Sequence, residues 1–309
     1  MPKGDKYSKL QNHLERSRKN ELTLTFDEIA SISGVDKLPA SAYAGHQWWH
    51  NPSSPKQSWC NAGYTAHVRL KERKVMFVWQ NVSPLGVKVA EESIREYHFM
   101  TVEVEHARYR SWVHCYNAFR DHWNDKTKID LLCLHLAAYL ASWGMLRNSF
   151  LLNYDYLVHK PIVESLCSPY FSRLFEQPNE KQVDLVMKAT EAVEEGYANQ
   201  TLIDLKGETV TGITDTLKTK ILLGVFGCTP AFDKYFVKTV RQYRICSGSF
   251  NRQSLDGLWD YYESHHTAFK KLCEDLTIDG TAYPPMKLLD MCCWQVGYES
   301  DAGEEYDSD

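Results

Sequence analysis

Four cations crowd into the segment "VRLKERKV": Arg69, Lys71, Arg73 and Lys74. Cations at that density suit phosphates, because each phosphate neutralised releases a condensed counterion. Just ahead, "PKQSWCNAG" offers Lys56, Gln57 and Asn61, residue types that reach base edges or phosphates. A second group lies far downstream. Lys220, Asp233, Lys287 and Asp290 sit in otherwise apolar helical surroundings, where an unpaired charge is costly. Two Lys–Asp pairs bridging neighbouring helices would satisfy them. The chemical alternative is a catalytic pocket in which Asp233 or Asp290 is a base tuned by a lysine such as Lys287. Arg147, after Gly144 at the end of an apolar helix, is placed either to hold an anion or to pin a loop through carbonyls.

Charge is spread unevenly around these groups. The 309-residue chain is −5 overall. Its first eighty residues hold twelve Lys and Arg against seven Asp and Glu, a net +5, while the last eleven, "ESDAGEEYDSD", hold six acids and no base. A basic head on an acidic body is the asymmetry of a protein that presents one end to a polyanion. The tail is expected to be disordered.

Several chemistries lack their motif. There is no P-loop, no G-x-S-x-G, no H-E-x-x-H and no paired CxxC, and His265 and His266 lack the i, i+4 spacing of a helical zinc pair. No cofactor and no metal are expected, and a non-enzymatic role is favoured. The nine cysteines are scattered apart from Cys292 and Cys293, which predicts reduced thiols acting as small hydrophobes. The longest apolar run, "IDLLCLHLAAYLASWGM", is interrupted by His135 and reads as a buried core helix rather than a membrane span. The first ten residues contain no secretory apolar stretch, so the cytoplasm is the expected compartment.

The elements that must carry the cations are legible one by one. Tyr7, Leu10 and Leu14 share a helix face. "ELTLTF" alternates as a short strand. Thr25 and Glu28 form a capping box for a helix that Gly34 closes. A turn or short helix follows Pro39. Ser54 and Pro55 read as N-cap and first residue of a two-turn helix stopped by Gly63. Two strands around a charged turn complete the head, with Val75, Phe77 and Trp79 on one face. Trp59 is expected in the core, one of Trp48 and Trp49 inside and the other at its edge, and Asn51 in a turn. Helix, strand, helix, helix and hairpin is the order of a winged helix-turn-helix, in which the helix before the hairpin enters the major groove.

The pattern "LTFDEI…LPASA…QWWHN…SWCNAGY…V.F" resembles a small prokaryotic domain family of unknown function over about residues 6–80. The resemblance implies a recurring fusion module, some copies in restriction or mobile-element settings, and imports no residue role.

Beyond the head, "NVSPLGVKVAEES" reads as a linker and "FMTVEVEHARY" as a strand. Helices dominate afterwards. They include "YRSWVHCYNAFRDHW", "NEKQVDLVMKATEAVEEGY" with Asn179 as N-cap candidate, and segments 214–226, 230–240, 254–275 and 284–296. The blocks "CLHLAAYLASWGMLRNSFLLNYDYLVH", "KTKILLGVFGCTPAFDKYF" and "YPPMKLLDMCCWQVG" resemble an uncharacterised bacterial family over about residues 108–297, which implies one helical domain.

The expected fold is therefore an α+β winged-helix-like domain over 1–82, a mainly α-helical domain over 83–298 and an acidic tail over 299–309. The expected function is DNA binding in prokaryotic regulation, mobile-element biology or phage defence, with the helical domain as effector or oligomerisation unit. The expected partner is nucleic acid, duplex DNA first, with a homo-oligomer or a protein as a further partner and no membrane. Two alternatives stand beside it: a glycosylase- or nuclease-like enzyme with its site in the helical domain, and a protein-interaction module that binds no nucleic acid.

Overall fold

Leu10 and Leu14 vanish from solvent on one side of α1 (Ser8–Ser17), the face that meets the rest of the N-terminal unit. The computed structural model describes residues 7–17, 19–51, 57–79 and 84–306. Its contacts divide the chain into two compact units. The first runs to Pro84 and includes Val240–Ser247; the second is Leu85–Thr239 with Gly248 onward. The expected boundary at 82 lies close to that division, but the 240–247 segment has no local signature of the first unit.

In the first unit, β1 (Glu21–Thr25) runs into α2 (Phe26–Ser33). The capping box forms as expected: Glu28 N–H donates to Thr25 Oγ1, and Thr25 N–H donates to the Glu28 carboxylate at 2.7 Å. The Thr25 N–H and hydroxyl, both donating to the carboxylate, hold the Glu28 carboxyl below its ordinary range. Gly34 closes the helix in the left-handed region, φ 71°. Next come α3 (Ala40–Ala44), a 3-10 turn over His46–Trp49, α4 (Ser58–Asn61), β2 (Tyr64–Arg69), a 3-10 turn over Leu70–Glu72 and β3 (Lys74–Trp79). The strands form one antiparallel sheet in the order β1-β3-β2.

One face of this sheet buries Leu24, Tyr64, Ala66, Val75 and Phe77 against the tryptophans. Trp49, 2% exposed, stacks on Phe26 with centroids 5.2 Å apart and donates Nε1–H to the Ala42 carbonyl. Trp59 lies 5.5 Å from Trp49, and half-buried Trp48 sits at the edge against Tyr7. Asn51 does more than turn the chain. Its Oδ1 accepts from Trp59 Nε1 and from Ala66 N–H, and its Nδ2 donates to the Ala66 carbonyl. One amide thus ties the aromatic core to β2.

The helix ahead of the hairpin is shorter than its sequence suggests. Gln57 is extended (φ −99°, ψ 141°), so α4 starts at Ser58 and makes a single turn. Ser54, Pro55 and Lys56 lie outside the described residues.

The second unit is helical: α5 (Val87–Val102), α6 (Arg110–His122), α7 (Ile129–Ser142), α8 (Lys160–Leu166), α9 (Ser172–Glu176), α10 (Val183–Ala198), α11 (Asp215–Phe226), α12 (Lys234–Gln242, its last turn in the first unit), α13 (Arg252–Ser264) and α14 (His266–Asp275). A two-residue hairpin, β4 (Thr277–Ile278) and β5 (Thr281–Ala282), precedes α15 (Pro285–Tyr306). The fold is α+β first and mainly helical after. Among the described residues no helix is long and apolar enough to cross a membrane.

Several expectations are corrected here. Residues 87–102 are neither linker nor strand but α5, because Ala90, Ile94, Tyr97 and Thr101 recur at helical spacing and pack against α15 and α14. α10 starts at Val183 with Gln182 at the N-cap position, not at Asn179. The segment 254–275 is two helices broken at His265 (φ −122°, ψ 22°). α15 continues to Tyr306, so the acidic residues from 299 to 306 are helical, and Asp301 is paired by Lys234 and Lys238. Residues 307–309 lie outside the described ones.

Candidate nucleic-acid interface and buried charge cluster

The β2–β3 register places Arg69 directly across from Lys74. Both point away from the core, since the alternate residues Ala66, Val75 and Phe77 are the buried ones. Like charges opposed across a ladder are destabilising. Glu72 in the connecting turn lies between them, 3.8 Å from Arg69 and 4.0 Å from Lys74, with all three side chains exposed. Arg73 adopts a left-handed conformation (φ 50°) at the end of the turn, its guanidinium 5.9 Å from the Tyr43 ring centre, and Lys71 is exposed. The four expected cations therefore share one end of the sheet with Glu72 among them and the Glu28 carboxylate near Lys74. Along the same open face run Thr23, Thr25 and His67. Gln57 is half-buried beside the one-turn α4, which ends at Asn61.

The opposite end of β3 is clamped. Arg244, from the 240–247 segment, lies over the Trp79 ring at 3.6 Å and donates to Asn20 Oδ1, the Lys19 carbonyl and the Tyr64 hydroxyl. Gly63 leaves room for the same ring: a Cβ there would stand 2.3 Å from it. Nothing local in the sequence marks Arg244 as part of this unit.

Lys220, Asp233, Lys287 and Asp290 of the helical unit do assemble. Lys220 donates to Asp233 Oδ2 at 3.0 Å, joining α11 to the start of α12 as expected. Lys287 and Asp290 pair at 2.8 Å within α15 instead of between helices. Burial draws the Lys287 ammonium below its ordinary range although Asp290 opposes this, and Lys287 also donates to the Tyr97 hydroxyl at 3.1 Å. The remaining carboxylate oxygens serve the wholly buried loop Gly227–Phe232 and the first turn of α12 that follows it. Asp290 Oδ1 accepts from Ala231 N–H at 3.0 Å, and Asp233 Oδ1 accepts from the N–H groups of Tyr235 and Phe236. A buried loop must satisfy its backbone internally. Every oxygen of both carboxylates is thus engaged, by a lysine, by the loop or by the first turn of α12.

Arg147 is exposed in the turn after α7, where its backbone N–H donates to the Gly144 carbonyl. All nine cysteines are free thiols, and burial pushes that of Cys133 and that of Cys167 up to about 12. Among the described residues no three His, Cys, Asp or Glu side chains gather as a metal site requires.

His159 gives the unit a pH dependence. It is 2% exposed, its Nδ1 lies 2.7 Å from the Tyr197 hydroxyl, and burial lowers its pKa from 6.5 to about 4. The unfolded chain then takes up this proton first as pH falls. The neutral imidazole's contribution is full above about pH 6.5 and is lost between there and about 4, amounting to about 3 kcal/mol. Urea unfolding at pH 7 and pH 5 should show this decline, and His159→Gln should flatten it.

The chain is thus of the class in which a small α+β unit with a cationic hairpin accompanies a larger helical unit. Residues 7–81 match a family model described as a domain of unknown function, DUF7662. No curated protein and no solved structure matches the chain.

Proposed function

We propose that the N-terminal unit binds nucleic acid, duplex DNA in the first place, through the β2–β3 hairpin. The helical unit then serves as effector or oligomerisation part of a prokaryotic regulatory, mobile-element or defence protein. The observation that carries this reading is the placement of Arg69, Lys71, Arg73 and Lys74 at one exposed end of the sheet, four cations against Glu72 in the turn and the Glu28 carboxylate near Lys74. Opposing Arg69 and Lys74 costs stability in the free protein, and a phosphate bridging them would relieve that cost. The polar neighbours Thr23, Thr25 and His67 would extend the contact along the backbone. A one-turn α4 gives the hairpin the larger share of the contact, with Gln57 and Asn61 beside it.

The test uses the full chain and a duplex oligonucleotide in a gel-shift titration at low salt. Replacing all four cations with Gln should weaken binding on the order of 100-fold or more, whereas Glu72→Gln should tighten it on the order of threefold. The substituted side chains are exposed, so the fold should persist. Unchanged affinity in the fourfold variant would remove the proposal.

A further inference from the structure

We infer that Tyr109, Trp143 and Trp294 form a binding site for a weakly hydrated organic cation, an alkylated ammonium or guanidinium group, and that Arg108 is the chain's own occupant of it. This inference is independent of nucleic-acid binding.

Three separate elements deliver the rings. Tyr109 stands at the head of α6, Trp143 at the end of α7 and Trp294 midway along α15. Each pair is nearly perpendicular. Tyr109 and Trp143 are 5.7 Å apart at 85°, Tyr109 and Trp294 5.9 Å at 87°, and Trp143 and Trp294 5.5 Å at 84°. The three planes therefore form the walls of a corner. Tyr97 backs it, parallel to Trp143 within 3° at 6.4 Å. Ring faces carry negative quadrupole density, so a corner of this kind favours a positive charge with a thin hydration shell.

A positive charge already lies there. The Arg108 Cζ is 5.8 Å from the Tyr109 centroid, 4.9 Å from Trp143 and 5.6 Å from Trp294, all within the range of a cation–π contact. Two features make Arg108 an exchangeable occupant rather than a fixed strut. It is exposed, and its side chain bonds only to the wall it covers, hydrogen-bonding Tyr109 and making no ion pair with a carboxylate among the described residues. Lys220, 4.9 Å from the Trp143 centroid, differs on both counts, being buried and tied to Asp233. The second observation is on the wall itself. Trp143 Nε1 is buried and has no hydrogen-bond partner. A buried donor left unpaired is costly, and a ligand bearing an acceptor beside its cationic head would satisfy it.

The test is a titration of the full chain, followed by tryptophan fluorescence, with tetramethylammonium and methylguanidinium chlorides against potassium chloride at equal ionic strength. 3,3-Dimethylbutan-1-ol serves as the neutral counterpart of the ammonium. Arg108→Ala vacates the corner and should bind at least one of the two organic cations about tenfold or more tighter than the native chain. Arg108→Lys keeps a cation in place and should stay as weak as native. The alcohol should bind none of them with comparable strength. The inference is overturned if Arg108→Ala gains no affinity for either cation over potassium, or if it takes the alcohol equally well.

Discussion

Asp290→Ala should destabilise the helical unit by about 3–5 kcal/mol, the cost of breaking a buried ion pair from one side. Two losses combine. Ala231 N–H loses its acceptor inside a loop with no access to water, and Lys287, 2% exposed, loses its counter-charge. Lys287, already held low by burial, is expected to shed its proton in the variant. Asp290→Asn should cost less, because its side-chain carbonyl can still accept from Ala231. Replacing both partners, Lys287→Met with Asp290→Asn, should recover part of the loss, since an apolar neighbour for Tyr97 is cheaper than an orphaned ammonium. Chemical denaturation of the four proteins checks this. If Asp290→Ala unfolds at the native denaturant concentration, the carboxylate does not hold the loop.

Gly63→Ala should cost the N-terminal unit about 2–4 kcal/mol. Its φ of +80° lies where L-residues pay about 1–2 kcal/mol, and the added methyl would stand 2.3 Å from the Trp79 ring. Trp79 has little freedom to yield, with Arg244 over its face and Tyr64 edge-on at 5.2 Å. Trp79→Leu in the same chain should relieve the clash and leave only the backbone strain. Thermal unfolding monitored by tryptophan fluorescence separates the two contributions, and equal melting of Gly63→Ala and native protein would refute the close approach.

Local chemistry made the head readable. A capping box at Thr25 and Glu28, a left-handed Gly34 and alternation in β1 and β3 are decided within a few residues, and they formed as their sequence implies. Segments decided by distant partners were not readable in this way. The alternation in "FMTVEVE" suggested a strand, yet Tyr97 and Ile94 meet α15 and so the helix wins. Asp279-Gly280, both at positive φ, is the Asp-Gly hairpin turn that joins β4 to β5, and its signal is local. The candidate sites divide along the same line. The hairpin cations are close in sequence and legible there. The lysines and aspartates stand out by their apolar setting, though α15 pairs Lys287 with Asp290 by itself. Arg108, Arg244 and the aromatic corner are assembled from remote segments, and an arginine beside a tyrosine or a tryptophan is too common a neighbour to announce them.

The most direct test of nucleic-acid binding by the hairpin is the salt dependence of the full chain's affinity for duplex DNA, measured beside the fourfold Gln variant. Four phosphate contacts predict a slope of log K against log salt of about −3 to −4 for the native protein, and a weak, much flatter line for the variant. A native affinity that is absent, or that does not change with salt, would contradict the account.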